Sequence, residues 1–467
     1  MRPIGKISLL ATLLWHCSVG LLPAAELHGR VTASGKPLAG VAVTDGHDFA
    51  RTDDRGVWTL DAAREAEFVS VVTPSGYVAP FDSGSPEFYL RIEQGRETYD
   101  FALEPYGRSD GYVLAAIGDP QVQTERHMGR FRNETVADLA AFVANEGGNR
   151  VTAIALGDIV WDNMGLFADY KRAVATLGVP VYPVIGNHDY DKDRVNDCTA
   201  YKSCFGPTWY AFDLGGEHFV VLNNIVYNTD KRYEERITPE QFAWLKRYVA
   251  LLEKGSRINI CMHAMTIHIG SGTKELAGIC KGHTVSFLTG HSHLNSNFDV
   301  LPGITEHNVA SCGGAWWSSE GFGKDGCPMG YQVFERDNGV TSWYFKVYGH
   351  DRNWQIELFD RGAFPRRPNA VVAKIWNWDP QWRVEWREDG REMGVAARFD
   401  DYDPNYLRHL QRRRDEGKGE PPSYKRAVKS FFYFAAVPGA SARTVEFVAT
   451  DRFGRQYRSS IELGSLK

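Results

Sequence analysis

A chain of 467 residues exceeds what a single hydrophobic core usually organises and implies two or three domains. The formal charge of −5 falls to −7 once Arg2 and Lys6 leave with a leader segment, so no global basic field recruits nucleic acid, and the prior for a nuclease drops. Aromatic residues make up 13% of the chain and Trp crowds its carboxyl-terminal half, a composition that suits sugar-binding surfaces and ordinary β-sandwich cores alike.

The first 25 residues predict a signal peptide: a basic head with Arg2 and Lys6, a short apolar run from Ile7 to Leu22, and small residues at Ala24 and Ala25. The run is too short, and too interrupted by His16 and Cys17, for a good membrane span; a buried amino-terminal helix is the alternative. Cys17 raises a lipoprotein reading, against which stand the bulky Trp15 and His16 before it. The expected mature protein begins near Glu26, is periplasmic or secreted, and has no other segment able to cross a bilayer.

Residues 26–105 alternate apolar and polar side chains between turn signals such as Asp45-Gly46, Asp53-Asp54-Arg55-Gly56 and Pro74-Ser75-Gly76. Short strands in a small β-sandwich follow from that pattern. No catalytic set is visible in this stretch, which reads as a spacer, a stabiliser or a binding module.

From residue 106 to 350 the pattern changes to strands alternating with helices. Helical spacing runs from Thr135 to Asn145 and from Leu166 to Leu177, and Thr238-Pro239-Glu240-Gln241 is a capped helix start. Five apolar strands end in polar, metal-competent residues: Tyr112–Ile117 before Gly118-Asp119-Pro120-Gln121, Ala153–Leu156 before Gly157-Asp158, Val179–Ile185 before Gly186-Asn187-His188-Asp189, Arg257–Met262 before His263, and Val285–Thr289 before Gly290-His291-Ser292-His293. One polar cluster at the carboxyl edge of an α/β sheet is the expected result. Arg336-Asp337-Asn338-Gly339 then joins two strands as a hairpin, and strands on both sides of the helical stretches suggest two sheets packed face to face with helices outside.

This ordered series, Asp-x-Gln, Gly-Asp, Gly-Asn-His-Asp, a lone His and Gly-His-x-His, resembles the calcineurin-like metallophosphoesterases over residues 110 to 350. The flanks resemble the amino- and carboxyl-terminal companion domains of an exported bacterial branch. The resemblance implies a two-sheet α/β/β/α sandwich flanked by small β-sandwich-like domains, and two divalent metal ions drawn from manganese, magnesium, zinc or iron. It assigns Asp119, Gln121 and His293 to the first ion, Asn187, His263 and His291 to the second, and Asp158 to both. Gln121 stands where many relatives carry His, which moves the first site toward harder ions. Trp161 occupies the place of the tyrosinate of purple phosphatases, which argues against a ferric purple enzyme. His188 resembles the histidine that assists the leaving oxygen, with Asp162 or Asp189 holding its other ring nitrogen. A glycine before each motif, at 118, 157, 186 and 290, is expected to let the backbone turn tightly.

Six cysteines remain after leader removal; Cys198 and Cys204 are the pair expected to bridge, while Cys261 reads equally as a core thiol. Trp316 and Trp317 form either a substrate wall or a packing contact with the next domain. Residues 351–467 return to a β pattern, with a polar stretch at 401–425 expected as a long loop or short helices. The functional expectation is an exported phosphoesterase, a phosphodiesterase in preference to a phosphomonoesterase, acting on a phosphorylated small molecule, glycan or lipid headgroup. A glycan- or surface-binding protein with a vestigial catalytic domain is the alternative, and a nuclease the third reading.

Overall fold

The computed structural model describes residues 26–319 and 321–464, so the leader predicted at 1–25 lies outside the described residues. At the centre are two mixed sheets. The first runs Val181–Pro183, Val151–Ala155, Tyr112–Ile117, Gly330–Asp337, Val340–Val347, with its first three strands parallel and its last two the antiparallel hairpin around Asn338-Gly339. The second runs Tyr210–Leu214, Glu217–Val221, Arg257–Cys261, Thr284–Thr289, Ile304–Asn308, Ser296–Leu301, with a parallel centre and antiparallel edges.

Side-chain alternation decides how these sheets stack. Along Tyr112–Ile117, Tyr112, Leu114 and Ala116 join a core that contains Phe219, Val221, Cys261 and Leu288 of the other sheet. Val113, Ala115 and Ile117 instead join the core under the helices Glu125–Arg130, Ala137–Glu146 and Phe167–Ala175. The second sheet repeats the division: Val220, Ile258 and Ile260 pack with Trp244, Leu245 and Leu276 of helices Pro239–Ala250 and Ser271–Ile279. Strands that are apolar on both faces therefore produce an α/β/β/α sandwich in which the outer face of each mixed sheet is covered by helices. Among the described residues no helix is long and apolar enough to cross a membrane.

Helix starts follow local chemistry. Thr124 and Thr238 accept hydrogen bonds from the backbone N–H of His127 and Gln241 at 3.2 and 3.5 Å. Gln241 does not close a capping box; its amide clamps the backbone of Asn223, accepting from N at 2.9 Å and donating to O at 2.8 Å. The first helix passes through a π-helical turn at Phe131–Val136, a distortion no sequence periodicity announces.

Two smaller sandwiches flank this centre. The amino-terminal one pairs Glu26–Ala33 with Val57–Asp61 and Phe101–Pro105, and packs that sheet on one containing Ala42–Thr44 and Phe68–Val71. It docks through Trp244, whose indole donates to Thr44 at 3.1 Å, and through main-chain bonds from Asp213 to Thr73 and from Val181 to Gly84. The carboxyl-terminal one stacks two four-stranded sheets around Val371, Ala373, Val384, Phe434, Val445 and Phe447. Its polar stretch holds one helix, Pro404–Asp415, capped by the buried Asp403.

The expected Cys198–Cys204 bridge is absent, and all six described cysteines are free thiols. The segment between them is helical, Thr199–Phe205, not a loop. Six residues of helix rise about 9 Å, beyond the roughly 7 Å that a disulfide spans between Cα atoms. Cys261 is a core thiol, its pKa raised by burial.

One buried histidine gives this fold a measurable pH response. His307 is 3% exposed, sits 2.7 Å from Asn297 Oδ1 and packs on Phe334 and Trp343. Burial, helped by the charges of Arg452 and Arg257, depresses its pKa to about 3. Below its unfolded value of about 6.5 the unfolded chain takes up a proton that the folded chain refuses, so stability present above that pH is lost as pH falls toward 3. Urea denaturation is expected to show about 2 kcal/mol lost to this residue at pH 5, and His307→Gln should remove that part of the acid slope.

Candidate metal centre

The carboxyl ends of the parallel strands of both sheets meet at one edge. A short parallel bridge between Gly118 and Ser311, with Cys312 N donating to Gly118 O at 2.7 Å, ties the sheets together there. Asp119, Gln121, Asp158, Asn187, His263, His291 and His293 converge on this edge, and all but His291 are buried.

His263 sets the electrostatics. Its Nδ1 lies 2.8 Å from the carbonyl of Leu156, an arrangement in which Nδ1 carries the proton and donates it. The lone pair of Nε2 in the neutral ring then faces Asp158 Oδ1 at 3.3 Å, Asn187 Oδ1 at 3.1 Å, His291 Nδ1 at 3.1 Å and Asp119 Oδ1 at 4.0 Å. Oxygens and ring nitrogens gathered around one lone pair in this way form a site suited to a cation. Without a metal the cation is a proton: burial opposes it, yet the charge and hydrogen bond of Asp158 and the charge of Asp119 raise His263 to about 9. Burial and the neighbouring His263 depress His291 to about 3, and burial together with Lys324 holds His293 well below its ordinary range. Neutral imidazoles beside buried carboxylates are the form in which these residues ligate metals.

A second grouping adjoins the first. His293 Nε2 is 3.5 Å from Asp119 Oδ1, and Gln121 donates from Nε2 to Asp158 Oδ2 at 2.6 Å. The carbonyl oxygen of Gln121 is buried with no hydrogen-bond partner, an acceptor that a cation would satisfy. Asp158 touches both groups. Asp158, His263 and His291 alone offer three ligand atoms within 4.8 Å of one another. The residues present therefore fit divalent cations with mixed oxygen and nitrogen donors.

The backbone explains how these side chains reach one point. The tight turns belong to the converging residues themselves: Asp119, Gln121, Asp158, His291 and His293 have φ of 38, 42, 49, 66 and 60°. Left-handed backbone at five non-glycine residues is strain concentrated at a site. Of the four preceding glycines only Gly157 has positive φ, so the expectation that each serves a turn is corrected. Their role is close approach: a Cβ on Gly186 would lie 2.2 Å from Asp158 N and Oδ1, and one on Gly290 would lie 2.6 Å from Asp119 Oδ2.

His188 stands beside the cluster with its side chain 21% exposed. Its N–H donates to Asp158 Oδ1 at 2.8 Å, and its Nδ1 is 3.0 Å from Asp162 Oδ1. Asp162 has φ of 50° and is also 3.3 Å from Lys192 Nζ. Although burial favours the neutral ring, the charges of Asp158 and Asp162 raise the pKa of His188. Asp189, the other candidate partner, is turned away: it accepts from the backbone N–H of Ile159, Val160 and Gly186 at 3.1, 3.0 and 2.8 Å and fixes the loop.

Residues from distant segments also border the site. Glu235 Oε1 is 3.8 Å from His291 Nε2, Lys192 donates to Asn187 O at 2.7 Å, and Trp161, Trp316 and Tyr424 cluster next to His188 and His293. No motif or periodicity distinguishes Glu235, Lys192 or Tyr424 in the sequence. Of the paired tryptophans, only Trp316 meets the carboxyl-terminal region. Trp317 is packed, donating to Pro120 O at 2.9 Å under Arg130, whereas Trp316 lies against His293 and Tyr424.

Three profiles of one family match successive stretches: the N terminal of calcineurin-like phosphoesterase at residues 25–106, the calcineurin-like phosphoesterase itself at 112–295, and the C terminal of calcineurin-like phosphoesterase at 306–457. The chain belongs to the calcineurin-like phosphoesterases. Members bind divalent metal ions and act on phosphorylated substrates. A search of curated proteins by sequence found no match. Among solved structures, the chain resembles a dimetal phosphatase from Danio rerio at 13% identity, covering 50% of this chain and 96% of that one with a TM-score of 0.35. It also resembles a conserved uncharacterised protein of Streptococcus pneumoniae TIGR4 at 10% identity, 50% and 98% coverage and TM-score 0.26. A 5′-nucleotidase from Candida albicans SC5314 matches at 10% identity, 53% coverage of each chain and TM-score 0.33.

The close approach at Gly186 generates a direct test of this calcineurin-like site. Gly186→Ala must displace the Asp158 carboxylate, and metal affinity of the purified protein, measured by competition with a chelator, is expected to fall about 10- to 100-fold while the fold is retained by circular dichroism.

Proposed function

We propose that the protein is an exported hydrolase of phosphate esters, with phosphodiesters preferred over monoesters, acting through two divalent cations. The observation that carries the reading is the position of Asp158, which touches the Gln121 and His263 sides of the cluster while also accepting the backbone N–H of His188. Asp119, Gln121 and His293 would hold one cation, Asn187, His263 and His291 the other, and Asp158 both. When bound, the pair supplies a clamp for the phosphoryl oxygens and acidifies a water for in-line attack on phosphorus.

The chain's own groups do the rest. Asp162 holds His188 Nδ1, which leaves Nε2 for a substrate oxygen. The Asp162 carboxylate at Nδ1 favours the protonated ring, from which a proton would pass to the departing oxygen. Lys192 braces both Asp162 and the Asn187 carbonyl, fixing the acid against the ligand loop. The partly exposed Trp161 beside His188 offers a surface for the ester's organic group. Export is supported by the sequence of residues 1–25 alone, and the periplasm or the medium is the proposed location.

Hydrolysis of an aryl phosphodiester and its monoester by the mature protein, with manganese, magnesium or zinc, tests this. Turnover is expected to require metal and to favour the diester. Asp158→Ala should abolish it, His188→Ala should lower kcat by about 10²- to 10⁴-fold with metal retained, and Asp162→Asn by about 10- to 100-fold. A folded, metal-loaded protein without turnover on either ester would favour the binding-protein alternative.

A further inference from the structure

We infer that Tyr424, from the carboxyl-terminal region, completes with Trp161 and Trp316 a wall beside the metal centre that stacks a flat aromatic group of the phosphate ester. The inference rests on the phosphoesterase reading and narrows its substrate class.

The geometry comes from three separate segments. Trp161 follows the Asp158 motif, Trp316 lies in the loop after the second sheet, and Tyr424 lies in a 3₁₀ turn, Ser423–Lys425, between helix Pro404–Asp415 and strand Lys429–Ala436. The Trp161 ring centroid is 4.6 Å from Trp316 and 5.3 Å from Tyr424, and Trp316 is 4.7 Å from Tyr424 with the planes at 90°. This group touches the chemistry directly: Trp161 is 4.9 Å from the His188 ring, and Trp316 is 4.3 Å from the His293 ring.

Packing alone does not account for the wall. Tyr424 is 44% exposed, one of few large hydrophobic residues left so open among the described residues, and Trp161 is partly exposed as well. Trp316 is 8% exposed, yet its indole N–H is buried without a partner. Its backbone and that of Trp317 sit at φ of 51 and 57°, a conformation that bulky residues rarely adopt and that clusters where function holds strain. The turn bearing Tyr424 is deliberately anchored: Tyr406, 1% exposed, donates to Lys425 O at 2.6 Å, and Val428 N donates to Lys324 O at 3.2 Å.

Charge around the wall suits an anion entering with its ring. Lys425 Nζ is 5.7 Å from the Trp316 ring centroid, and Arg413 is close enough to Lys425 to help burial depress its pKa. The partly buried Lys324 acts on both His293 and Asp119. Aromatic faces beside a cationic rim bind flat rings with a negative substituent, because stacking tolerates many rings while the cations hold the phosphate.

Competitive inhibition of the manganese-loaded full-length enzyme by phenylphosphonate, cyclohexylphosphonate and methylphosphonate tests the inference without relying on leaving-group chemistry. Phenylphosphonate is expected to bind about ten-fold more tightly than methylphosphonate, with the cyclohexyl compound well behind it. Tyr424→Ala and Trp161→Ala should each reduce the phenyl-to-methyl ratio to about two or less, while Tyr424→Phe, which keeps the ring, preserves it. An equal ratio in wild type, a ratio unchanged in both alanine variants, or cyclohexyl binding equal to phenyl overturns the wall. Failure of all three phosphonates to bind overturns this inference, and the phosphoesterase reading falls with it only if the aryl diester and monoester also go unhydrolysed.

Discussion

The hydrogen bond from His263 Nδ1 to the Leu156 carbonyl commits the opposite nitrogen to the interior, where it meets oxygens of Asp158 and Asn187 and a nitrogen of His291. Lone pairs withdrawn from water and pointed at one another cost several kcal/mol unless a cation lies among them. That requirement shapes the surroundings. It explains the left-handed backbone at five of the converging residues, the unpartnered carbonyl of Gln121, and the glycines that let one loop lie against the carboxylate of another. Strain of this kind persists only where the rest of the fold overrides it.

The overriding structure is the pair of sheets. Each parallel strand is apolar on both faces, one face closing the core between sheets and the other receiving helices, so strand register fixes where each carboxyl end falls. Asp189 extends this scaffold into the loop by taking three backbone N–H groups, which frees the neighbouring His188 to face outward against Asp162. The flanking sandwiches then act in different ways. The amino-terminal one grips the outer helix through Trp244, while the carboxyl-terminal region brings Tyr424 and Lys425 to the rim of the site itself.

The two-sheet α/β fold was legible because strand, glycine and polar tip recur together, and the seven converging metal-competent residues were legible for the same reason: each sits one to four positions past an apolar strand. The order of those tips also singled out His188 and offered Asp162. Other features had no local signal. Positive φ at Asp119 or His291 depends on contacts between strands of different sheets, and the proximity of Tyr424 to Trp161 joins residues that the sequence separates by most of the catalytic region. The expected Cys198–Cys204 bridge failed because the residues between the two cysteines belong to the helix Thr199–Phe205, which packs over buried Tyr201 and Phe205. Gln241 shows the same limit on a smaller scale: its spacing from Thr238 matches a capping box, but the buried backbone of Asn223 competes for the amide and wins.

Everything turns on whether the cluster around Asp158 holds two cations. Anomalous diffraction from manganese-soaked crystals of the mature protein, recorded at the metal edge, answers this most directly. The account predicts two peaks about 4 Å apart with the Asp158 carboxylate between them, one flanked by Asp119, Gln121 and His293 and the other by Asn187, His263 and His291. A single peak, or none within reach of Asp158, would contradict it.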